Sequence, residues 1–156
     1  MKLIYMHHAE RDRTKIKDRQ LQDITNRGIK EAQLIAEKLM ERYDVKAIYT
    51  SVYLRCVHTS EIINKYIDVP IIEDSRLNEY DPSESWESFL NRNMELLKEL
   101  DEKYDVDDTV ICMTSGVNLS AFVCYFYGIE ASDDIPVSQA FNISPVIFVS
   151  KGSLVD

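Results

Sequence analysis

Short runs of consecutive apolar residues alternate along this chain with longer stretches in which apolar positions recur every three or four residues. The first rhythm suits strands buried on both faces, the second amphipathic helices. Leu3-Ile4-Tyr5-Met6 falls in a first predicted strand, Lys2–Met6, and a polar, basic loop follows. Thr25 is placed to cap a helix from Asn26 to Tyr43 with Ile29, Ala32, Ala36, Leu39 and Met40 on one face. Ala47–Thr50 reads as a short strand, Leu54–Tyr66 as a helix stopped ahead of Val69-Pro70, and Pro70–Ile72 as a weaker strand. Asp81-Pro82-Ser83-Glu84 has the form of a capping box with proline at the first helical position. The helix it predicts places Trp86, Phe89, Leu90, Met94 and Leu97 in the core. Thr109–Met113 reads as a strongly apolar strand, Val117–Tyr127 as an apolar helix closed by Gly128, and Pro145–Val149 as the last strand. Strands alternating with helices predict an α/β fold, a mostly parallel sheet with helices on both faces.

Length adds that 156 residues suit a single domain spanning 1–156. No apolar run approaches membrane-spanning length, and the first residues lack the layout of a signal peptide, so a cytoplasmic location is expected. The three cysteines, Cys56, Cys112 and Cys124, are widely spaced in apolar surroundings and read as buried thiols rather than a zinc or disulfide framework. No metal and no cofactor is expected. A formal net charge of −9 argues against nucleic acid or an anionic membrane as partner. Against that background Arg11, Arg13, Lys15, Lys17 and Arg19 form a local basic run beside the first strand. It is either a solvated surface or a source of positive potential that steers an anion. Oligomeric state is not encoded in any pattern here.

In such a sheet the residues just past each strand's carboxyl end share one edge, where ligands bind. Those residues are His7 and His8, Ser51, the loop through Glu79, and Ser115, with Arg55 one turn into the helix after Ser51. Helix starts after Ser51 and Ser115 are expected to add backbone N–H groups and positive dipole ends. An arginine, a carboxylate and a nucleophile candidate at such an edge suit a phosphoryl group, and no glycine-rich phosphate loop competes.

Five segments, in order, resemble the histidine phosphatase superfamily, phosphoglycerate mutase-like, branch 1. The family opens on a strand ending Arg-His-Gly/Ala-Glu, and this chain has His7-His8-Ala9-Glu10. Ile24-Thr25-Asn26-Arg27-Gly28-Ile29-Lys30-Glu31-Ala32 follows the family's Leu-Thr-x-x-Gly helix start. Tyr49 through Glu61 parallels the Ser-Pro-x-x-Arg segment, Arg76-Leu77-Asn78-Glu79 the acid-bearing one, and Thr114-Ser115-Gly116 stands where the family writes Thr/Ser-His-Gly. The resemblance implies a three-layer α/β sandwich with a last strand cut short, since members commonly add a strand beyond the one at Pro145–Val149. It also implies His8 as nucleophile through a phosphohistidine, Glu79 as proton donor and acceptor, and Arg55, His7 and Ser115 at the phosphate.

Two of those positions depart from the family, which has arginine at His7 and histidine at Ser115. Losing one comparable charge-stabilising donor costs roughly a hundred- to thousand-fold in rate. Two functions therefore stand open. One is a small phosphatase of reduced activity on a phosphorylated small molecule or phosphoprotein, with hydrolysis rising toward mildly acidic pH as His7 gains a proton. The other is a catalytically impaired member that binds a phosphorylated ligand in a regulatory role.

Overall fold

The computed structural model describes residues 1–119, together with the backbone of two strands near the end of the chain. Four parallel strands form the centre: β1 (Lys2–His7), β2 (Val45–Thr50), β3 (Ile71–Glu73) and β4 (Thr109–Thr114). β5 (Val146–Val149) pairs antiparallel with β1, and β6 (Ser153–Val155) antiparallel with β5, giving the sheet order β3-β2-β4-β1-β5-β6. The expectation that the chain stops short of a further strand is thereby corrected: three residues suffice for β6 to pair with β5.

Alternation along the central strands divides the core. Leu3, Tyr5, Ala47, Tyr49, Val110 and Cys112 point to one face and pack with Leu96 and Leu100 of helix α3 (Trp86–Lys103). Ile4, Met6, Ile48, Ile111 and Met113 point to the other, against helices α1 (Asn26–Arg42) and α2 (Leu54–Ile67). This is the two-sided burial that the apolar runs predict.

Local details differ from the sequence pattern where competing caps lie close together. Thr25 does cap α1, accepting from the Gly28 N–H. Met40, however, is exposed, and α1 buries Gly28, Ala32, Ala36 and Leu39. Asp81-Pro82-Ser83-Glu84 forms a turn in which the Glu84 N–H donates to the Asp81 carbonyl at 2.9 Å. The helix begins only after Ser85, whose Oγ accepts from the Ser88 N–H. Trp86 is consequently outside the core, 37% exposed and edge-on to Tyr80. The buried stripe of α3 is Phe89, Asn93, Leu96 and Leu100, with Met94 and Leu97 half-buried at its margin. The predicted helix from Val117 to Tyr127, its Gly128 cap and Cys124 lie largely outside the described residues, which include only a helical turn over 116–119.

Among the described residues no helix is long and apolar enough to cross a membrane. Cys56 and Cys112 are free and buried. Burial pushes the Cys56 thiol up to about 12 and Cys112 upward as well, so neither is a ready nucleophile.

Candidate active site

β1 ends at His7, and the ladder continues for one further bond, from the His8 N–H to the Thr114 carbonyl at 3.0 Å. Because the strand stops there, His7 and His8 no longer alternate across the sheet. Both line one cavity of about 750 Å³, with ring centroids 4.2 Å apart. The other lining residues include Glu79, Gly116 and Val117, together with Arg11, Arg13 and Arg19 from the basic run.

The hydrogen bonds of the two imidazoles determine what each can offer. His8 Nδ1 lies 2.7 Å from the Ala9 carbonyl, which only accepts, so the proton sits on Nδ1. In the neutral ring Nε2 then carries a lone pair, and it accepts from Arg55 Nε at 3.1 Å. His7 Nδ1 likewise donates to the His8 carbonyl, at 2.5 Å. Neutral His7 thus presents only an acceptor to the cavity, the wrong polarity for a phosphate oxygen.

Both rings resist protonation. Burial pushes the pKa of His8 well below the usual imidazole value, and His7, Arg55 and Arg11 push the same way against the Ala9 carbonyl. Burial also lowers His7, with Arg55 and Arg11 adding to it and the His8 carbonyl and Glu79 opposing it. Histidines in the unfolded chain titrate near ~6.5. As pH falls through that value the unfolded chain binds protons that the folded one does not. Stability is therefore fully present above about pH 6.5 and declines as pH falls toward the folded pKa values. Denaturant unfolding from about pH 7.5 to about pH 5 should show this decline, and a shallower one in His8→Asn. Identical slopes in the two proteins would contradict it.

Arg55 is fully buried, and each of its nitrogens has a partner. Besides Nε to His8, Nη1 donates to the Arg19 carbonyl at 2.5 Å and Nη2 to Glu79 Oε2 at 3.0 Å. The same Glu79 oxygen accepts from Arg19 at 2.5 Å, so one carboxylate is shared by two guanidiniums. Glu79 is positioned through its backbone. Thr114 Oγ1 and Asn118 Nδ2 both donate to the Leu77 carbonyl, and Asn118 also to the Asn78 carbonyl at 3.1 Å. Arg92, paired with Glu84 at 2.7 Å, donates to the Arg76 carbonyl.

Ser51 and Ser115 are placed differently. Ser51 is buried and its Oγ donates to Asn78 Oδ1 at 2.8 Å. Ser115 is also buried, with its Oγ donating to Asn118 Oδ1 at 2.9 Å, while Gly116 and Val117 beside it line the cavity. The expectation that the start of α2 offers free N–H groups is corrected in part. The Val52 N–H donates to Asn78 Oδ1 and the Leu54 N–H to the Gln20 carbonyl, because these loops close over the helix end. His58 bonds Asp23 at 2.6 Å, away from the cavity.

Arg11 and Arg19 are cavity residues that the motif pattern does not single out. Their signal was the basic run, and the segment from Glu10 to Thr14 lines the cavity without a break. Arg11 bridges Ile24 as a strand residue would, and Arg11 and Arg13 both reach the cavity. Lys15 instead stays in solvent beside Asp12.

The sheet thus carries two histidines, a buried arginine and a carboxylate at its carboxyl edge. A sequence model of the histidine phosphatase superfamily (branch 1) matches residues 6–83, and the chain belongs to that family. No curated protein matches it in sequence. Solved structures share the fold. Bacillus stearothermophilus YhfR superimposes with a TM-score of 0.77 at 21% identity over 99% of this chain and 94% of that one. Phosphoglycerate mutase from Bacillus anthracis gives 0.75 at 12% over 96% and 88%. The protein histidine phosphatase SixA, complexed with tungstate, gives 0.71 at 16% over 99% and 93%.

Proposed function

We propose that this chain is a phosphoric monoester hydrolase that works through a phosphohistidine at His8. The observation that carries the reading is the tautomer of His8: Nδ1 is tied to a carbonyl, burial keeps the ring neutral, and the Nε2 lone pair faces Arg55. Nε2 exchanges the Arg55 hydrogen bond for the phosphorus of the substrate, the P–O bond to the leaving group breaks, and Arg55 turns its donors to the equatorial oxygens. Glu79 protonates the leaving oxygen and then takes a proton from the water that hydrolyses the N–P bond. The substrate is a phosphorylated small molecule or phosphoprotein.

The charge that this mechanism needs opposite Arg55 does not come from His7 in mild acid, because burial lowers the His7 pKa. The rise in activity toward mildly acidic pH is therefore not expected. Activity instead falls on the acid side, as protonation removes the His8 lone pair.

A second reading, phospholigand binding without turnover, is favoured by one specific pair of observations. The His7 donor is committed to a backbone carbonyl, and the Ser115 hydroxyl is committed to Asn118. Rapid acid-free quenching of the protein with p-nitrophenyl phosphate separates the two readings. The hydrolase gives a phosphoryl adduct on His8 by mass spectrometry and a steady release of nitrophenol, both lost in His8→Ala. Phosphate binding with neither adduct nor release would leave the binding reading.

A further inference from the structure

We propose that Arg11 holds the phosphoryl group on the side of the cavity where the family has arginine and this chain has His7. The inference rests on the phosphoryl site lying at His8, but not on turnover there.

The backbone of Arg11 is fixed. It bridges Ile24, the flanking Asp12 N–H donates to the Asp23 carbonyl at 2.8 Å, and the Thr25 N–H donates to the Glu10 carbonyl at 2.8 Å. This short ladder ties the loop to the start of α1 and brings the Arg11 side chain to the cavity beside His7 and His8. One of its nitrogens, Nη1, is buried without a hydrogen-bond partner. A buried charged donor left unsatisfied is costly, and such groups are rare in folded proteins unless a function keeps them.

No acid on the cavity wall is available to it. Glu79 is shared by Arg55 and Arg19. The Glu10 carboxylate accepts from Thr25 Oγ1 at 2.8 Å and lies 3.9 Å from Arg27. Asp12 accepts from Thr14 and pairs with Lys15 at 3.5 Å. Among the described residues Arg11 makes no ion pair. Burial pulls its pKa down, then Arg55, Arg13 and Arg19, with Glu79 opposing them. An anion with two charges relieves that crowding and offers the guanidinium an acceptor.

Arg11 also accounts for the tolerance of histidine at position 7. Its charge is one of the influences that lower the His7 pKa, after burial and Arg55. Phosphate recognition is kept by moving the guanidinium four residues along the chain, from the strand end to the loop beyond it.

Calorimetric binding of inorganic phosphate tests this with wild type, Arg11→Met, His7→Arg, the double variant His7→Arg/Arg11→Met, and Lys15→Met as a solvated member of the same basic run. Arg11→Met should weaken phosphate about tenfold or more in the wild-type background. In the His7→Arg background the same change should cost no more than about twofold. Lys15→Met should also cost about twofold at most. The proton resonances of His7 should titrate at higher pH in Arg11→Met than in Arg11→Lys, a difference that a loss of packing common to both would not produce. Thermal unfolding of Arg11→Met and of the milder Arg11→Gln shows whether each is folded.

Unchanged phosphate affinity in folded Arg11→Met overturns the proposal. So does a loss equal to that of Lys15→Met, an equal loss in both His7 backgrounds, or absence of phosphate binding by wild type. A wild type that binds phosphate through Arg11 yet forms no phosphohistidine removes the hydrolase reading and leaves this one standing.

Discussion

Arg55→Met is expected to lower phosphate-ester hydrolysis by at least about a hundred- to thousand-fold and to destabilise the fold by about 3–5 kcal/mol. The two effects have separate origins. For the chemistry, the guanidinium is, among the described residues, the only group bonded both to the prospective nucleophile and to the prospective acid, through His8 Nε2 and Glu79 Oε2. Its loss removes charge stabilisation and leaves Nε2 without an orienting donor. For stability, methionine retains much of the volume but leaves the Arg19 carbonyl and His8 Nε2 without their partner in a fully buried place. Glu79 keeps Arg19, a partially exposed partner, which holds the cost toward the lower end. Chemical denaturation together with steady-state hydrolysis checks both numbers. Arg55→Lys supplies the discriminating control: a point charge cannot reach three acceptors at once, so it should recover part of the stability and little of the rate. Full recovery of rate with lysine would show that the bidentate geometry is immaterial.

Gly28→Ala is expected to cost about 1–3 kcal/mol and to weaken phosphate binding besides. A Cβ on Gly28 would stand 2.6 Å from the Glu10 carbonyl oxygen and 3.1 Å from the Glu10 nitrogen. Both are backbone atoms, so no side chain can swing aside, and either α1 or the loop must move. The loop is the segment held by the Thr25–Glu10 hydrogen bond, and Arg11 is its next residue. The usual gain from replacing a helical glycine by alanine, about 1 kcal/mol, is thus reversed by contact with the motif. Unfolding curves and phosphate titrations of Gly28→Ala measure the two effects, and a stabilised variant would show that α1 slides without consequence.

The fold was legible where burial has a simple period. Four central strands carry their apolar residues as continuous runs, and Thr25 caps α1 just ahead of its periodic stretch. It was less legible at α3, where Asp81-Pro82-Ser83-Glu84 and Ser85 compete as starts within five residues. The turn closed by the Asp81 carbonyl settles that competition, along with the packing of Tyr80 and Trp86 outside the core. Asn93 in the buried stripe was invisible to an apolar pattern, because its partner, Tyr5, is a hydrogen bond away on another element at 2.9 Å. In the candidate site, residue order along the chain was enough to bring His7, His8, Arg55 and Glu79 together. It could not tell which imidazole nitrogen is committed, nor where the Ser115 hydroxyl points, since both depend on contacts made only after folding. The basic run could be read as a field but not resolved into its members. Only the bridge from Arg11 to Ile24 separates a cavity-lining Arg11 from a solvated Lys15.

The bond from Ser115 to Asn118 ties the edge of the cavity into the core. Asn118 is wholly buried and joins the Leu77 and Asn78 carbonyls to Asn93, which in turn receives Tyr5. Restoring the family's histidine at position 115 would put a ring where a hydroxyl now sits at 2.9 Å from Asn118 Oδ1. It would also disturb the hydrogen bonds that seat Glu79, with an overpacking cost of about 1–3 kcal/mol. Position 7 carries no such burden, for its side chain ends in the cavity. Arginine at position 7 is reached by a single substitution, whereas histidine at position 115 can be accommodated only together with changes at its buried neighbours.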